Sequence, residues 1–140
     1  MSLETNKALV RRQFEAAIND KDLSVIDTDM ADDFFDHASP PGAPQGPEAV
    51  RQWIRYLHAA IPDLHATIED IVAEGDRVVV RNTWRGTHTG DVFGIPATGK
   101  PFALTGFVEW RINGDGRIAE RWATLDLWGL RRQLGVTSAG

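Results

Sequence analysis

Hydrophobic and polar residues alternate with two different periods along this 140-residue chain, and the period changes near Pro62. Before Pro62, apolar residues recur every three or four positions, which is the spacing of an α-helix that buries one face. After Pro62, apolar and polar residues alternate one by one, as in a β-strand. The chain therefore predicts an α+β fold, in which N-terminal helices pack on a curved, mostly antiparallel sheet.

Three helices are predicted in the first half. The first runs from Glu4 to Asn19, and a shorter one spans Leu23 to Met30. The turn-rich stretch "DHASPPGAPQGP" follows, and a third helix begins at Pro47 because proline suits the first helical turn. Its predicted core face comprises Val50, Ile54, Leu57 and Ile61.

Four strands are predicted in the second half, with short hairpin turns at "EGDR" and "NGDGR". Their predicted bounds are Leu64–Ala73, Arg77–Thr87, Phe102–Asn113 and Arg117–Leu127.

Alternation predicts which face of the sheet is buried. Three sets of alternate positions carry four of the five tryptophans and should face the core. These sets are Val78, Val80, Asn82, Trp84, Gly86 and His88; Phe102, Leu104, Gly106, Val108, Trp110 and Ile112; and Ile118, Glu120, Trp122, Thr124, Asp126 and Trp128. The opposite face is rich in arginine. It carries apolar islands that are either a subunit interface or ordinary exposed side chains, namely Val79, Phe107, Ala123 and Leu125.

The segment "GIPATGKP", Gly94 to Pro101, matches a phosphate-binding loop except at its last position. Such a loop must lead into a helix, whose first amides hold the phosphates. Here it leads into a predicted strand, and Pro101 lacks the amide and the hydroxyl. We therefore interpret it as a strand connection that can form the rim of a pocket.

Composition narrows the function classes. The net charge of -5 and the pI near 5.3 argue against nucleic acid and anionic membranes as partners. The absence of cysteine excludes disulfides and thiolate chemistry. No apolar run reaches the length of a membrane span, and the N-terminus lacks the apolar core of a signal peptide. We expect one cytoplasmic domain over residues 1–140.

The polar residues on the predicted buried face are the candidate catalytic residues. Asp126 follows Trp122 by four positions and lies near the end of the last strand. A carboxyl in a desolvated pocket has a raised pKa and can accept and return a proton near neutral pH. Asp126 can equally cap a terminal helix over "LWGLRRQLG". The pattern alone leaves both interpretations open.

The histidines support less specific interpretations. His37 can bind a ligand at a pocket mouth or lie in solvent, and His88 can face a ligand or bond to backbone. His58 and His65 are expected to be structural. No pair has the spacing of a metal site, so no metal is predicted.

Three segments resemble the SnoaL-like polyketide cyclases, also called ester cyclases, of the nuclear transport factor 2-like superfamily. The resemblance spans about Asp32 to Gly135, and its specific parts are "GTHTGDVFGIPATGK" and the closing pattern E-R-W-x-x-x-D. It implies a cone-shaped α+β barrel, a small apolar or aromatic carbonyl substrate, and a homo-oligomer (dimer or tetramer).

The resemblance also implies roles for residues. Asp126 matches the general acid/base of an intramolecular aldol closure, which needs no metal or organic cofactor because carbonyls of the substrate delocalise the enolate. His37, His88 and Trp122 match positions that line the pocket and are expected to orient substrate. Alternation adds Asn82 and Trp84 to the substrate-binding candidates.

Other functions of the same fold stay open. Some relatives serve as hydroxylation components. An isomerase would want a tyrosine opposite the base, and the single tyrosine is Tyr56 on the third helix. An epoxide hydrolase would pair aspartates with an inward arginine, whereas alternation predicts that the strand arginines point outward. A non-catalytic binding or dimerisation module should tolerate Asp126→Asn.

Overall fold

Four helical elements and five strands in residues 2–136 follow the order that the sequence predicts, with one strand more than expected. The computed structural model describes this range of the chain. Helix α1 (Leu3–Arg12) is capped by the Ser2 side chain and continues as a π-helical segment, Gln13–Asn19. Helix α2 spans Ser24–Asp29, α3 spans Pro47–Ala60, and α4 spans Leu127–Gln133.

The strands form one curved sheet in the order β1-β5-β4-β3-β2. Their bounds are β1 Met30–Asp36, β2 His65–Glu74, β3 Arg77–Thr87, β4 Pro101–Ile112 and β5 Ile118–Leu125. Strands β2 to β5 are antiparallel neighbours, as alternation predicted. Strand β1 pairs with β5 in parallel. The prediction missed β1, because "MADDFFD" does not alternate.

The buried face of β3 and β4 is the predicted one. Val78, Val80, Leu104 and Val108 are almost fully buried and pack with the first helix. The five-stranded sheet therefore turns one face to the helices and leaves the other face uncovered, which confirms the α+β prediction.

A β-bulge in β5 reverses the predicted faces of that strand. Ile112 pairs with Ile118, but Arg111 pairs with Glu120, so Ala119 is an extra residue. One extra residue shifts the alternation by one position. Beyond the bulge, the inner face of β5 carries Arg121, Ala123 and Leu125. They pair across the strands with the buried positions of β4 and lie on the same side of the sheet.

The expected inward positions of Glu120, Trp122 and Asp126 are consequently wrong. Trp122 and Thr124 lie beside Val79 and Phe107 on the outer face, where they border a shallow groove. Asp126 and Trp128 are exposed.

Candidate functional site

A cavity of about 710 Å³ lies between the helices and the inner face of the sheet. Its volume is in the range of sites for small organic ligands. Phe14 meets both Trp84 and Trp110 edge to face, with ring centroids 6.3 and 6.1 Å apart. These three rings line the cavity together with aliphatic side chains of β4 and β5. The walls therefore suit a flat aromatic ligand.

The first helix contributes through its π-helical segment, which supplies Gln13, Phe14 and Ile18 to the cavity. The wider turn changes the angular spacing of side chains, so the 3.6-residue period no longer holds over this stretch. Short π-helical segments occur frequently at functional sites. The sequence predicted one uniform helix here and gave no signal for the change.

The mouth of the cavity is aromatic. Trp53 and Tyr56 stack on α3 with ring centroids 5.7 Å apart, and each is about half exposed. The Tyr56 hydroxyl donates to the carbonyl of Asp91 and so ties α3 to the loop between β3 and β4. Phe93 of that loop lines the cavity. The loop leads into β4 and does not start a helix, as the sequence predicted, but Phe93 is its cavity residue and the segment Gly94–Pro101 itself contributes none of the described residues that line the cavity.

An ion pair lies in the cavity wall. Arg121 Nη1 is 3.0 Å from Oδ2 and 3.2 Å from Oδ1 of Asp36, and both side chains are about one-fifth exposed. The guanidinium also lies over the ring of Trp110, 5.5 Å from its centroid. The expectation that all strand arginines point outward is wrong, because the bulge at Ala119 turns Arg121 inward.

Asp126 lies at the edge of the cavity and is not one of the residues that line it. Its side chain is the N-cap of α4, since Oδ1 accepts from the backbone amide of Gly129 at 2.9 Å. A side chain at position 129 would lie within 2.2 Å of Oδ2 of Asp126, so glycine keeps room for the carboxylate there. Leu125 and Leu127, the residues on both sides of Asp126, do line the cavity. The capping interpretation is confirmed, and the expected burial of this carboxyl is wrong.

His37 and Trp122 lie together on the outer side of the sheet. Their rings stack with centroids 4.7 Å apart, and His37 Nε2 is 2.7 Å from Oε2 of Glu120. Arg111 donates to Oε1 of Glu120 at 2.5 Å. The hydrogen bonds from His37 and then from Arg111 lower the pKa of Glu120 below its ordinary value. The structure does not bring this cluster to the cavity.

The remaining candidates divide between core and cavity. Trp84 lines the cavity, whereas His88 and Asn82 are fully buried and are not among the lining residues. The Nδ1 atom of His88 accepts from the amide of Thr98 at 3.2 Å, which places the proton of a neutral ring on Nε2. Within residues 2–136, His88 Nε2 and both polar side-chain atoms of Asn82 have no hydrogen-bond partner.

Sequence reasoning missed Arg121 and Asp36. The sequence of β5 does contain a signal for Arg121. Strict alternation would place the charged Glu120 and Asp126 on the core face and the apolar Ala123 and Leu125 on the outer face. A reversed polarity of this kind indicates a one-residue slip. Asp36 carried no comparable signal, because its strand was not predicted.

Residues 2–136 contain neither a metal-binding cluster nor a membrane-spanning helix. No group of three or more His, Asp or Glu side chains in this range is placed to hold a metal ion. No helix in the same range is long and apolar enough to cross a membrane.

The fold is the α+β cone of the nuclear transport factor 2-like superfamily, with its sheet left unclosed. The family model for SnoaL-like polyketide cyclases matches residues 8–134. The chain belongs to this family, as the sequence resemblance implied. None of the curated proteins shows significant similarity to the chain.

Solved structures agree with this assignment. TsrD from Streptomyces laurentii is 32% identical, with a TM-score of 0.88 over 97% of this chain and 98% of that one. IdmH, a proposed polyketide cyclase from Streptomyces antibioticus, is 34% identical, with a TM-score of 0.79 over 94% and 99%. AclR, a proposed hydroxylase from Streptomyces galilaeus, is 28% identical, with a TM-score of 0.78 over 96% and 87%.

Proposed function

We propose that this protein is a cofactor-independent cyclase that closes a ring by intramolecular aldol addition on a small polyketide-like carbonyl compound. The observation that carries the proposal is an aromatic cavity of about 710 Å³ with Asp126 at its edge, in a chain of the SnoaL-like family. The cavity would hold the flexible substrate folded, so that the attacking carbon and the carbonyl meet in a reactive geometry.

Asp126 is the proposed general acid/base. Its Oδ1 atom is held by Gly129, while Oδ2 has no hydrogen-bond partner among residues 2–136. As a base, the carboxylate takes a proton from a carbon between carbonyl groups, and the charge spreads onto their oxygens. The carbon then bonds to a second carbonyl carbon, and Asp126 returns the proton to the oxygen of that carbonyl. Such a group contributes about 10²–10⁴-fold to rate.

Proton transfer can be tested before the natural substrate is identified. The probe is 1-phenylbutane-1,3-dione in D₂O, with exchange of its acidic C–H protons followed by NMR above the uncatalysed rate. We expect the wild-type protein to accelerate exchange and Asp126→Asn to remove most of the acceleration. The matched control is Asp115→Asn, an exposed aspartate in the β4–β5 turn. No acceleration by the wild-type protein would favour the non-catalytic binding module, and acceleration that survives in Asp126→Asn would remove Asp126 as the base.

A second candidate is a component of a hydroxylation reaction, and the similarity to AclR favours it. Product mass separates the two, because aldol closure leaves the mass of the substrate unchanged whereas hydroxylation adds one oxygen atom. An epoxide hydrolase is less well supported. Arg121 does point inward, but Asp36 is the one carboxylate among the described residues that line the cavity.

We also propose a cytoplasmic homo-oligomer that buries the outer face of the sheet. Phe107 is about half exposed there, next to Val79 and the Trp122 ring. Leu125, expected in this patch, lines the cavity instead. Sedimentation should show a dimer or larger assembly that Phe107→Glu dissociates. A wild-type monomer at micromolar concentration would contradict the proposal.

A further inference from the structure

Two charged side chains lie in an otherwise neutral cavity. Among the described residues that line it, Asp36 and Arg121 alone carry a formal charge. A guanidinium in an apolar wall is expensive to desolvate unless its N–H groups are bonded. The hydrogen bonds of the Arg121 N–H groups therefore indicate which kind of ligand the cavity binds.

Asp36 satisfies only part of Arg121. Both contacts with the carboxylate are made by Nη1. The Nε and Nη2 groups of Arg121 have no hydrogen-bond partner within residues 2–136. A guanidinium presents five N–H donors in a rigid plane, so Asp36 holds Nη1 of Arg121 while the donors on Nε and Nη2 can bind a ligand.

Asp36 is itself held firmly and acts as the support of Arg121. Its Oδ1 atom accepts from the amide of Ala38 at 2.9 Å. Its backbone is bonded on both sides by Gln45, whose Oε1 accepts from the Asp36 amide and whose Nε2 donates to the Asp36 carbonyl. Trp110 covers a face of the guanidinium. Arg121 is thus oriented before any ligand arrives, which lowers the entropy cost of binding.

Some neutral polar groups of the lining residues also lack a hydrogen-bond partner. Three side-chain N–H groups of lining residues are buried without a partner in the described part of the chain: Gln13 Nε2, Trp84 Nε1 and Trp110 Nε1. All three are donors. They are covered by neighbouring atoms and are therefore not ligand contacts. The donors of the wall that are available to a ligand are those of Arg121.

We propose that Arg121 is the specificity-determining residue of the cavity and binds a negatively charged pair of oxygens on the substrate, either a carboxylate or the enolate of a 1,3-dicarbonyl group. Charge-assisted bonds to a guanidinium are short and about twice as strong as neutral ones. This inference deepens the proposed cyclase function and rests on it for the identity of the reaction. The binding preference itself does not depend on turnover.

Two matched probe pairs test the preference and distinguish the two anions. Anthraquinone-2-carboxylate is compared with its carboxamide, and the enolate of 2-acetylindane-1,3-dione with its 2-methyl derivative, which cannot form that enolate. Binding is measured by calorimetry. We expect at least one anion to bind about 10- to 100-fold more tightly than its neutral counterpart, as for a hydrogen bond to a charged group. Equal affinities within both pairs would overturn the proposal.

Variants assign the preference to Arg121. Arg121→Met should abolish it, and Arg121→Lys should retain part of it. Arg81→Met is the control, because Arg81 is an exposed arginine on the outer face of β3. If Arg121→Met does not fold, the double variant Arg121→Gln/Asp36→Asn keeps a neutral hydrogen-bonding pair and should also lose the preference. A preference that survives loss of the guanidinium would refute the role.

Failure of this inference and failure of the cyclase proposal give different results. Asp126→Asn should slow C–H exchange and still bind the anions in preference to their neutral counterparts, because the Arg121 guanidinium is unchanged. Normal anion preference without any C–H exchange would indicate an anion-binding module. C–H exchange without a preference for anions would leave the proposed role of Asp126 standing. It would contradict the proposal that Arg121 recognises the substrate.

Discussion

Arg121 and Asp36 join two strands that run parallel and are far apart in sequence, with Arg121 Nη1 3.0 Å from Asp36 Oδ2 in the cavity wall. The contact combines β1, which supplies the carboxylate, with the bulged strand β5, which supplies the cation. Because both side chains are largely buried, the pair should contribute to stability as well as to ligand recognition.

A double-mutant cycle measures that contribution. Asp36→Asn and Arg121→Met should each lower the free energy of unfolding, since each leaves a partly desolvated partner unpaired. The coupling energy from urea denaturation should be about 1–3 kcal/mol. The exposed pair Arg77–Glu109, 2.8 Å apart, is the matched control and should show a smaller coupling. A cavity pair with no more coupling than this control would contradict the prediction.

The cap of α4 gives a separate prediction. Asp126→Ala removes the acceptor for the Gly129 amide and should cost about 0.5–2 kcal/mol of stability. Asp126→Asn should cost much less, because asparagine caps helices equally well. Thermal or urea unfolding of both variants checks this. Equal losses for alanine and asparagine would mean that the charge, and not the cap, stabilises the helix.

Close packing between β4 and β5 predicts that Gly106→Ala is destabilising. A Cβ at this position would lie 2.6 Å from both the Leu125 side chain and the carbonyl oxygen of Thr124. Relief requires movement of the strand that carries Arg121, so we expect a loss of about 1–3 kcal/mol. Gly114→Ala is the control, since a Cβ at residue 114 would meet no atom within 4 Å, and it should change stability by less than about 0.5 kcal/mol.

The outer cluster predicts a specific pH dependence. Glu120 has a pKa below its ordinary value of 4.5 because His37 and then Arg111 donate to it. A depressed carboxyl pKa stabilises the fold fully above the unfolded-state pKa, and that stability is lost as the pH falls through the folded-state pKa. Glu120→Gln should therefore lose less stability than wild type as the pH falls below about 4.5.

The control for this pH series is Glu69→Gln. Glu69 is exposed on β2 and forms no ion pair with another described residue. Its variant should follow the wild-type curve. If Glu120→Gln loses as much stability as wild type over the acid range, the interactions at Glu120 do not stabilise the folded state.

Much of the fold was predictable because β3 and β4 bury one face each and alternate without interruption. Val78 to Trp84 and Phe102 to Trp110 follow period two, so their inner positions could be assigned from residue type. Trp84, a predicted binding residue, lies in the cavity for that reason. The capping interpretation of Asp126 was also available from sequence, since aspartate precedes a helix-like run.

The candidate site was less predictable because it depends on the pairing of β1 with β5. The segment "MADDFFD" has no local pattern that indicates a strand. It forms β1 because it pairs with β5, which is more than eighty residues away in the sequence. The bulge at Ala119 likewise reflects how β5 pairs with β4. These two features place Arg121 and Asp36 in the cavity wall and put Trp122 and His37 on the outer side, contrary to the expectation that both rings line the pocket.

The sequence by itself determined the order of the N-terminal helices and of strands β2 to β5, the family, and the inner face of β3 and β4, because these follow from residue periodicity and local motifs. Only the tertiary structure decided the inner face of β5, the cavity and its ion pair. The physical reason is that one unpaired residue reverses every side chain beyond it, and strand register is set by contacts between distant segments.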